Sequence, residues 1–536
     1  MLGFLHKRQS PTRPGPFTVP PADPFENPLV ETHPGSLSQW AAGLPYANPE
    51  QMAQAVITSL GRLNRYPAPI KRRKELMAIY QPPCKRLYHL SREHKSALPL
   101  RVNRQVMQEM AYGYLHLVNH WFTEKPSVKR RKELHSHIYH AVKYLALEYL
   151  CACLMYDCHG SKTLQELIRL HTLAEENGLQ HTPVEDPEYL STSISQQTKL
   201  TLLLSLLDPC HLQEGETRIV FDYLGEFADI ADFVELTAEM DPAGLYVIDR
   251  MGQVPPQRFD PSMREGLATP RFCLLNILPV SQRLHRDLRA IEKQDADIPP
   301  GLQHLGIKTA ANLLRRMLKS WHIRLQRNSE RHATSGQVEL SLGLQAIHRF
   351  FGDPLVTVNQ DSGYHEEIDF TLHSGGLTPP HEPGLQTLDC WRSNQSRSGV
   401  ALQLWMPQPV IPQVGDLVLL TRPASRSPSE AKVGIVRRAL IKEERVLEIG
   451  VQFINGKIVP LRIQPVDISA EQACPVYPAL YVDMGEIERS SLLVARDTLA
   501  IDQEYRIEEM IPAPSVSPIL MTEATSAFER FRIKRI

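Results

Sequence analysis

Residues 391–405 read WRSNQSRSGVALQLW. From Gly399 onward the apolar side chains Val400, Leu402 and Leu404 fall at every second position, the period of a half-buried strand. Ahead of them Asn394 and Ser396 supply amide and hydroxyl groups that both donate and accept hydrogen bonds. Arg392 and Arg397 add two permanent charges, and Gly399 would permit a close turn into the strand. The expectation is a polar turn in front of a strand, of a kind that suits a planar, polar, anionic group.

The same period runs outward on both sides. GQVELSLGL (336–344) alternates Val338, Leu340, Leu342 and Leu344, and GDLVLLTR (415–422), AKVGIVRRALI (431–441) and VLEIGVQFI (446–454) follow. Gly, Pro, Ser and charged residues separate them, which predicts a small antiparallel β-barrel over 319–460. PALYVDM, SSLLVAR and AFERFRIKRI then predict a β-rich extension over 461–536.

Upstream the period is helical. NPEQMAQAVITSLGRLNR (48–65) opens on Asn48 as a cap with Pro49 in the first turn, and long apolar helical patterns follow at 98–122, 131–158 and 161–179. This predicts a bundle or helical-hairpin domain over 39–182, without a fixed repeat period. The Pro- and acid-rich QHTPVEDPEY (180–189) reads as a linker into a second, mostly helical region at 183–318. Within that region GLYVIDRMGQVPPQRFD (244–260) reads as an extended pair, and RFCLLNILPVSQRLHRDLRAIEK (271–293) as helix. Residues 1–38, rich in Pro, Thr and Ser, are expected to be disordered. The fold class is α+β multidomain: a helical N-terminal half, a small antiparallel β-barrel and a C-terminal β extension.

The 59 Lys and Arg residues balance 60 Asp and Glu, so no global field draws the protein to a nucleic-acid polymer. The eight cysteines are too sparse for a disulfide framework and sit mostly in apolar runs. No uncharged apolar segment reaches the length of a membrane span, and the short apolar stub at residues 1–5 precedes its basic residues, the reverse of a signal peptide. A cytoplasmic protein without an integral membrane segment is expected.

Just before the first strand, RLQRNSERHATSGQVEL (324–340) carries Arg327 and Arg331 in an R-x-x-x-R arrangement. Guanidinium groups bind phosphate bidentately, read a guanine edge and stack on a base. This pair, followed by Asn394-x-Ser396-x-x-Gly399, resembles the PilZ family of cyclic di-GMP receptors. The later strands VGDLVLL, AKVGIVRR and LEIGVQFI are similar to that family too. The likeness covers about residues 320–457, with an insertion at 352–388 between the two motif halves, and the helical half carries none of it. It implies a six-stranded barrel in which Arg327 and Arg331 clamp phosphate and guanine. It also implies that Asn394, Ser396 and Gly399, with Arg397 beside them, bind the dinucleotide from the barrel surface.

The chain is therefore read as a non-enzymatic cyclic di-GMP receptor without cofactor or metal, open to recruitment to a cell pole or a membrane-associated machine, whose helical half contacts a protein partner. By the resemblance it would serve bacterial surface behaviour: type IV pili, motility or attachment. The alternative is a protein-protein adaptor with a non-binding barrel. GLQHLGIKTAANLL (301–314) misses a phosphate-binding loop by one inserted residue, Ile307, and reads as a helix start. His135, His137, His140, Cys151, Cys153, Cys158 and His159 read as core or interface residues rather than metal ligands.

Overall fold

The helix foreseen from Asn48 forms as its sequence dictates. Asn48 Oδ1 accepts the Gln51 N–H at 3.1 Å, Pro49 occupies the first turn, and Met52, Val56, Leu60 and Leu63 are buried. The computed structural model describes residues 17–23, 31–92, 98–123, 127–158, 162–186, 190–237, 240–293, 298–322, 332–352, 387–423, 427–442, 445–466, 475–486, 489–501, 503–507 and 515–536. The chain forms two compact units, residues 1–209 with 215–325 and residues 210–214 with 326–536.

The first unit is mainly helical: α1 (Pro34–Ala42), α2 (Pro49–Arg65), α3 (Ile70–Leu90), α4 (Leu100–Asn119), α5 (Val128–Leu154), α6 (Lys162–Glu176), α7 (Ile194–Leu206) and α8 (Glu216–Gly225). Helix α5 is its axis, buried along almost all of its length from His137 to Cys153. Two of its buried charged groups are matched. Lys143 donates to Asp186 at 2.8 Å, and Arg104 Nε reaches Glu148 at 2.6 Å. Asp186 belongs to a short hairpin, β1 (Val184–Asp186) with β2 (Leu190–Thr192), whose first strand lies inside the acidic stretch read as a linker. The chain on both sides of that stretch lies in one compact unit.

The N-terminal stretch also departs from expectation. Phe17 is 3% exposed, exchanges hydrogen bonds with Asn119 (2.7 and 2.9 Å), and packs under Arg169. Helix α1 starts at Pro34. Phe17, with Val19 on the same core and the Asp23 N–H donating to the Arg65 carbonyl at 2.9 Å, holds residues 17–23 to the helices, and composition alone does not reveal such anchors. Residues 1–16 and 24–30 lie outside the described set.

The same unit holds a four-stranded sheet, order β3 (Asp232–Val234), β6 (Phe272–Asn276), β4 (Leu245–Asp249), β5 (Gln257–Arg258). Strands β4 and β5 are the extended pair foreseen. Strand β6 corrects the helical reading of 271–293. Cys273, Leu274 and Leu275 are a continuous apolar run buried between two strands, which periodicity cannot separate from helix. The helix begins only at Leu278, whose N–H is accepted by Asn276 Oδ1 at 3.0 Å. Helices α9 (Arg264–Leu267), α10 (Leu278–Lys293) and α11 (Ile307–His322) complete the unit. No helix among the described residues is long and apolar enough to cross a membrane.

The second unit is two closed six-stranded barrels. Strands β7 (His332–Ala333), β8 (Gln337–Leu342), β9 (Thr387–Ser396), β10 (Gly399–Trp405), β11 (Leu417–Thr421), β12 (Lys432–Lys442) and β13 (Val446–Phe453) build the first. Its ring runs β9-β10-β13-β12-β11-β8 and returns to β9, with β7 added on β9. What was read as a C-terminal extension is a complete second ring: β14 (Lys457–Pro465), β15 (Tyr477–Asp483), β16 (Ser491–Val494), β19 (Glu529–Arg535), β18 (Ser515–Ala524) and β17 (Tyr505–Ile507). Closure leaves neither ring with an exposed edge. Helix α12 (Gly343–Phe351) takes Leu344 out of the strand pattern. Its Ile347 joins Leu417, Leu419, Leu480, Val482 and Phe528 in an apolar cluster shared by both barrels. His348 Nε2 lies 2.7 Å from the Ala479 carbonyl on the second ring.

Candidate functional site

The expected polar turn is a strand. Asn394 and Ser396 are the last positions of β9, and only Arg397 and Ser398 turn the chain into β10. The connection is a two-residue hairpin turn, Arg397–Ser398. The outer surface of a barrel strand may be polar throughout, so alternation is weak there and the segment resembles a loop.

Register decides which side chains share a surface. Ser396 faces Gly399, Asn394 faces Ala401, and then the ladder shifts so that Arg392 faces Leu402 and Trp391 faces Gln403. Ser393 is the extra residue of this bulge, and its Oγ donates to the Ala401 carbonyl at 3.3 Å. Gly399, Ala401 and Gln403 alternate on the outer face, opposite the buried Val400, Leu402 and Leu404. Their partners Ser396, Asn394 and Trp391 therefore also lie on the outer face. Without the bulge, Trp391 and Asn394, three positions apart, would point to opposite faces. Trp391 is 49% exposed. Sequence reading missed it because a bulge is invisible to period counting.

Glycine at 399 has a packing cause. A Cβ there would stand 2.3 Å from the Val451 carbonyl oxygen of β13. Ser396 Oγ donates to the Gly399 carbonyl at 3.4 Å, and Asn394 Nδ2 lies 3.5 Å from Ser393 Oγ. These are long contacts that a ligand could replace. Arg397 is exposed at the tip of the hairpin, and Asn394, Gln395 and Ser396 are half-buried.

The other half of the expected site, Arg327 and Arg331, lies outside the described residues. The chain that follows Arg331 is fixed, however. His332 pairs with Gln395 and Ala333 with Asn394, so β7 runs along the end of β9 that carries the Asn-x-Ser pattern. Strands β7 and β8 are separated by a kink at Gly336 (φ 146°), where a Cβ would lie 2.9 Å from Arg392 Nη2. Arg392 donates to Gln395 Oε1 at 3.5 Å and keeps a buried Nε without a hydrogen-bond partner among the described residues. The structure thus brings Asn394, Ser396, Arg397 and Gly399 into one hairpin, with Trp391 and Arg392 beside them. The insertion at 352–388 lies almost wholly outside the described residues.

Two motifs set aside earlier have structural explanations. Gly301 takes φ +83°, and a Cβ there would come within 2.7 Å of Tyr223 Cα, so its glycine serves close packing. Helix α11 starts at Ile307. Among the described residues no group of three His, Cys, Asp or Glu side chains is arranged to hold a metal ion. Burial lowers His137 and His140 to about 4, His137 further by Lys74 and His140 by Lys143, so both rings are neutral near pH 7.

Residues 35–239 match a known family. Its description is "Cyclic-di-GMP receptor FimW, N-terminal domain". The match spans α1 to β3 in the helical unit, the half of the chain in which sequence reading found no resemblance. No curated protein matches the chain.

Proposed function

We propose that this protein is a cyclic di-GMP receptor whose first barrel binds the dinucleotide and whose helical unit is the output. The observation that carries the reading is the pairing of His332 with Gln395, which ties the chain leaving Arg331 to the Asn394–Ser396 strand end. The family matched by residues 35–239 is described as a cyclic di-GMP receptor, which supports the ligand from the other half of the chain. By resemblance to PilZ barrels, Arg327 and Arg331 would hold phosphate and guanine, and Asn394 and Ser396 the guanine edge. Arg397 would add charge at the rim, and the exposed ring of Trp391 offers a face on which a base can stack.

The arginine pair lies in the chain between α11 of one unit and β7 of the other. A ligand held by the arginine pair would bias the conformations open to the helical unit, a population shift driven by differential affinity. No catalytic step is assigned. The setting is the bacterial cytoplasm, and the process is surface behaviour such as type IV pilus function, motility or attachment.

Thermal unfolding with and without cyclic di-GMP tests the reading. A ligand at about one hundred times its dissociation constant adds about 2.7 kcal/mol to stability. An unchanged transition at saturating nucleotide would favour the adaptor reading.

A further inference from the structure

The segment IKRRKEL at 70–76 recurs as VKRRKEL at 128–134. The copies open the two long helices α3 and α5, and neither first turn holds an acidic residue. Basic side chains there oppose the helix dipole, whose N-terminal end is itself positive. Helix stability therefore explains neither copy.

Both copies line one open groove of about 540 Å³. Most of their charge is already committed. Arg73 turns inward onto the carbonyls of Leu63 and Tyr66 at 3.2 and 2.7 Å. Glu75 is held by Arg72 at 3.6 Å, and Glu133 by Lys74 of the other copy at 3.1 Å. Lys71 and Lys129 remain on the groove walls, with no hydrogen bond or ion pair among the described residues. The lining also holds Ile70, Leu117 and Leu134, with Trp121 under the Arg130 guanidinium at 5.2 Å, while the Lys74–Glu133 ion pair joins the two helices. His137 also lines the groove. It is only 9% exposed, and its Nε2 has no hydrogen-bond partner among the described residues.

A small anion would need converging donors, but these two lysines stand on different helices, α3 and α5, and the Lys74 ammonium is already held by Glu133. We propose that the groove docks an acidic segment of a partner protein. One apolar side chain of that segment seats between Ile70 and Leu134, flanking carboxylates meet Lys71 and Lys129, and a polar group reaches His137 Nε2. The assignment rests on the reading of the helical unit as the output region, and it names the surface and the chemistry of the partner.

The test is fluorescence anisotropy of a labelled peptide of repeating Glu-Glu-Leu, titrated with the full chain. The peptide is expected to bind, to weaken with added salt, and to bind Lys71→Glu/Lys129→Glu at least about tenfold more weakly. Lys432→Glu, on the exposed end of β12, is expected to match wild type, and a Glu-Glu-Ser peptide to bind more weakly than Glu-Glu-Leu. Lys71→Gln/Lys129→Gln serves if the reversal disturbs folding by circular dichroism. No binding to wild type, equal binding to the double variant, or equal binding of the two peptides would overturn the assignment. Cyclic di-GMP titrated into the same preparations separates the two claims. Loss of nucleotide binding in the double variant would give the groove to the nucleotide and overturn docking. A wild type that binds the peptide but not the nucleotide would overturn the receptor reading alone.

Discussion

His332 and Gln395 are register partners across β7 and β9, the first directly following Arg331 and the second directly preceding Ser396. His332 and Gln395, more than sixty residues apart in the chain, thus meet at one end of β9. The bulge at Ser393 adds Trp391 to the same outer face as Asn394 and Ser396.

Trp391→Ala separates binding from folding. Half of this ring is already in solvent, so the thermal transition is expected to move little. A base stacked on it is worth about 1–3 kcal/mol, so nucleotide affinity is expected to fall by roughly ten- to one-hundredfold. Calorimetry on both proteins measures this, and unchanged affinity would remove Trp391 from the site.

Gly399→Ala acts through packing instead. The atom a new Cβ would strike is a backbone oxygen, which cannot rotate away, so β10 and β13 must separate locally. A cost of about 1–3 kcal/mol in urea-induced unfolding is expected. Wild-type stability in this variant would show that the strand pair is looser than its register implies.

The helical unit is expected to be acid-sensitive. Burial, reinforced by Arg73, Lys74, Lys143 and Lys199 respectively, lowers His116, His137 and His140 to about 4 and His171 to about 3. Unfolded histidine titrates near 6.5, so between about 4 and 6.5 the unfolded chain binds more protons. Their contribution is full above about pH 6.5 and is lost as pH falls toward 4. Each histidine adds a slope of up to about 1.4 kcal/mol per pH unit. Unfolding followed by helical circular dichroism between pH 7 and pH 4 checks this.

Asp416, in the first barrel, has the opposite sign. Burial raises it to about 6, against the Gln413 N–H that its carboxylate accepts at 2.8 Å. The folded state then holds the proton more tightly, and this contribution is lost as pH rises from about 4 through 6. Asp416→Asn is expected to stabilise the protein at pH 7.5 more than at pH 4.5, by on the order of 1 kcal/mol or more. Equal effects at both pH values would place the carboxyl in contact with water.

The sequence reveals the inward faces of the first barrel because Val338 and Leu340, or Leu402 and Leu404, repeat with period two against one core. It hides β9, whose outer face is polar and whose alternation is broken at Ser393. It hides β6 as well, because Cys273, Leu274 and Leu275 are buried on both faces and lose alternation altogether. The second barrel was legible only in pieces. Strand β18 contains Pro518, which argues against a paired strand, and the ring closes through the three-residue β17. Helix α3 runs through Pro82 and Pro83, where local rules would end it. Asn394, Ser396 and Gly399 are legible as candidates from spacing because their chemistry is local. Trp391 depends on a register shift and could not.

Isothermal titration of cyclic di-GMP into wild type, Arg327→Ala and Arg331→Ala tests the central claim most directly. The expected result is saturable binding to wild type and none to either variant, with all three proteins unfolding at the same temperature. Equal affinity in wild type and both variants would contradict the receptor site at the β7–β9 junction.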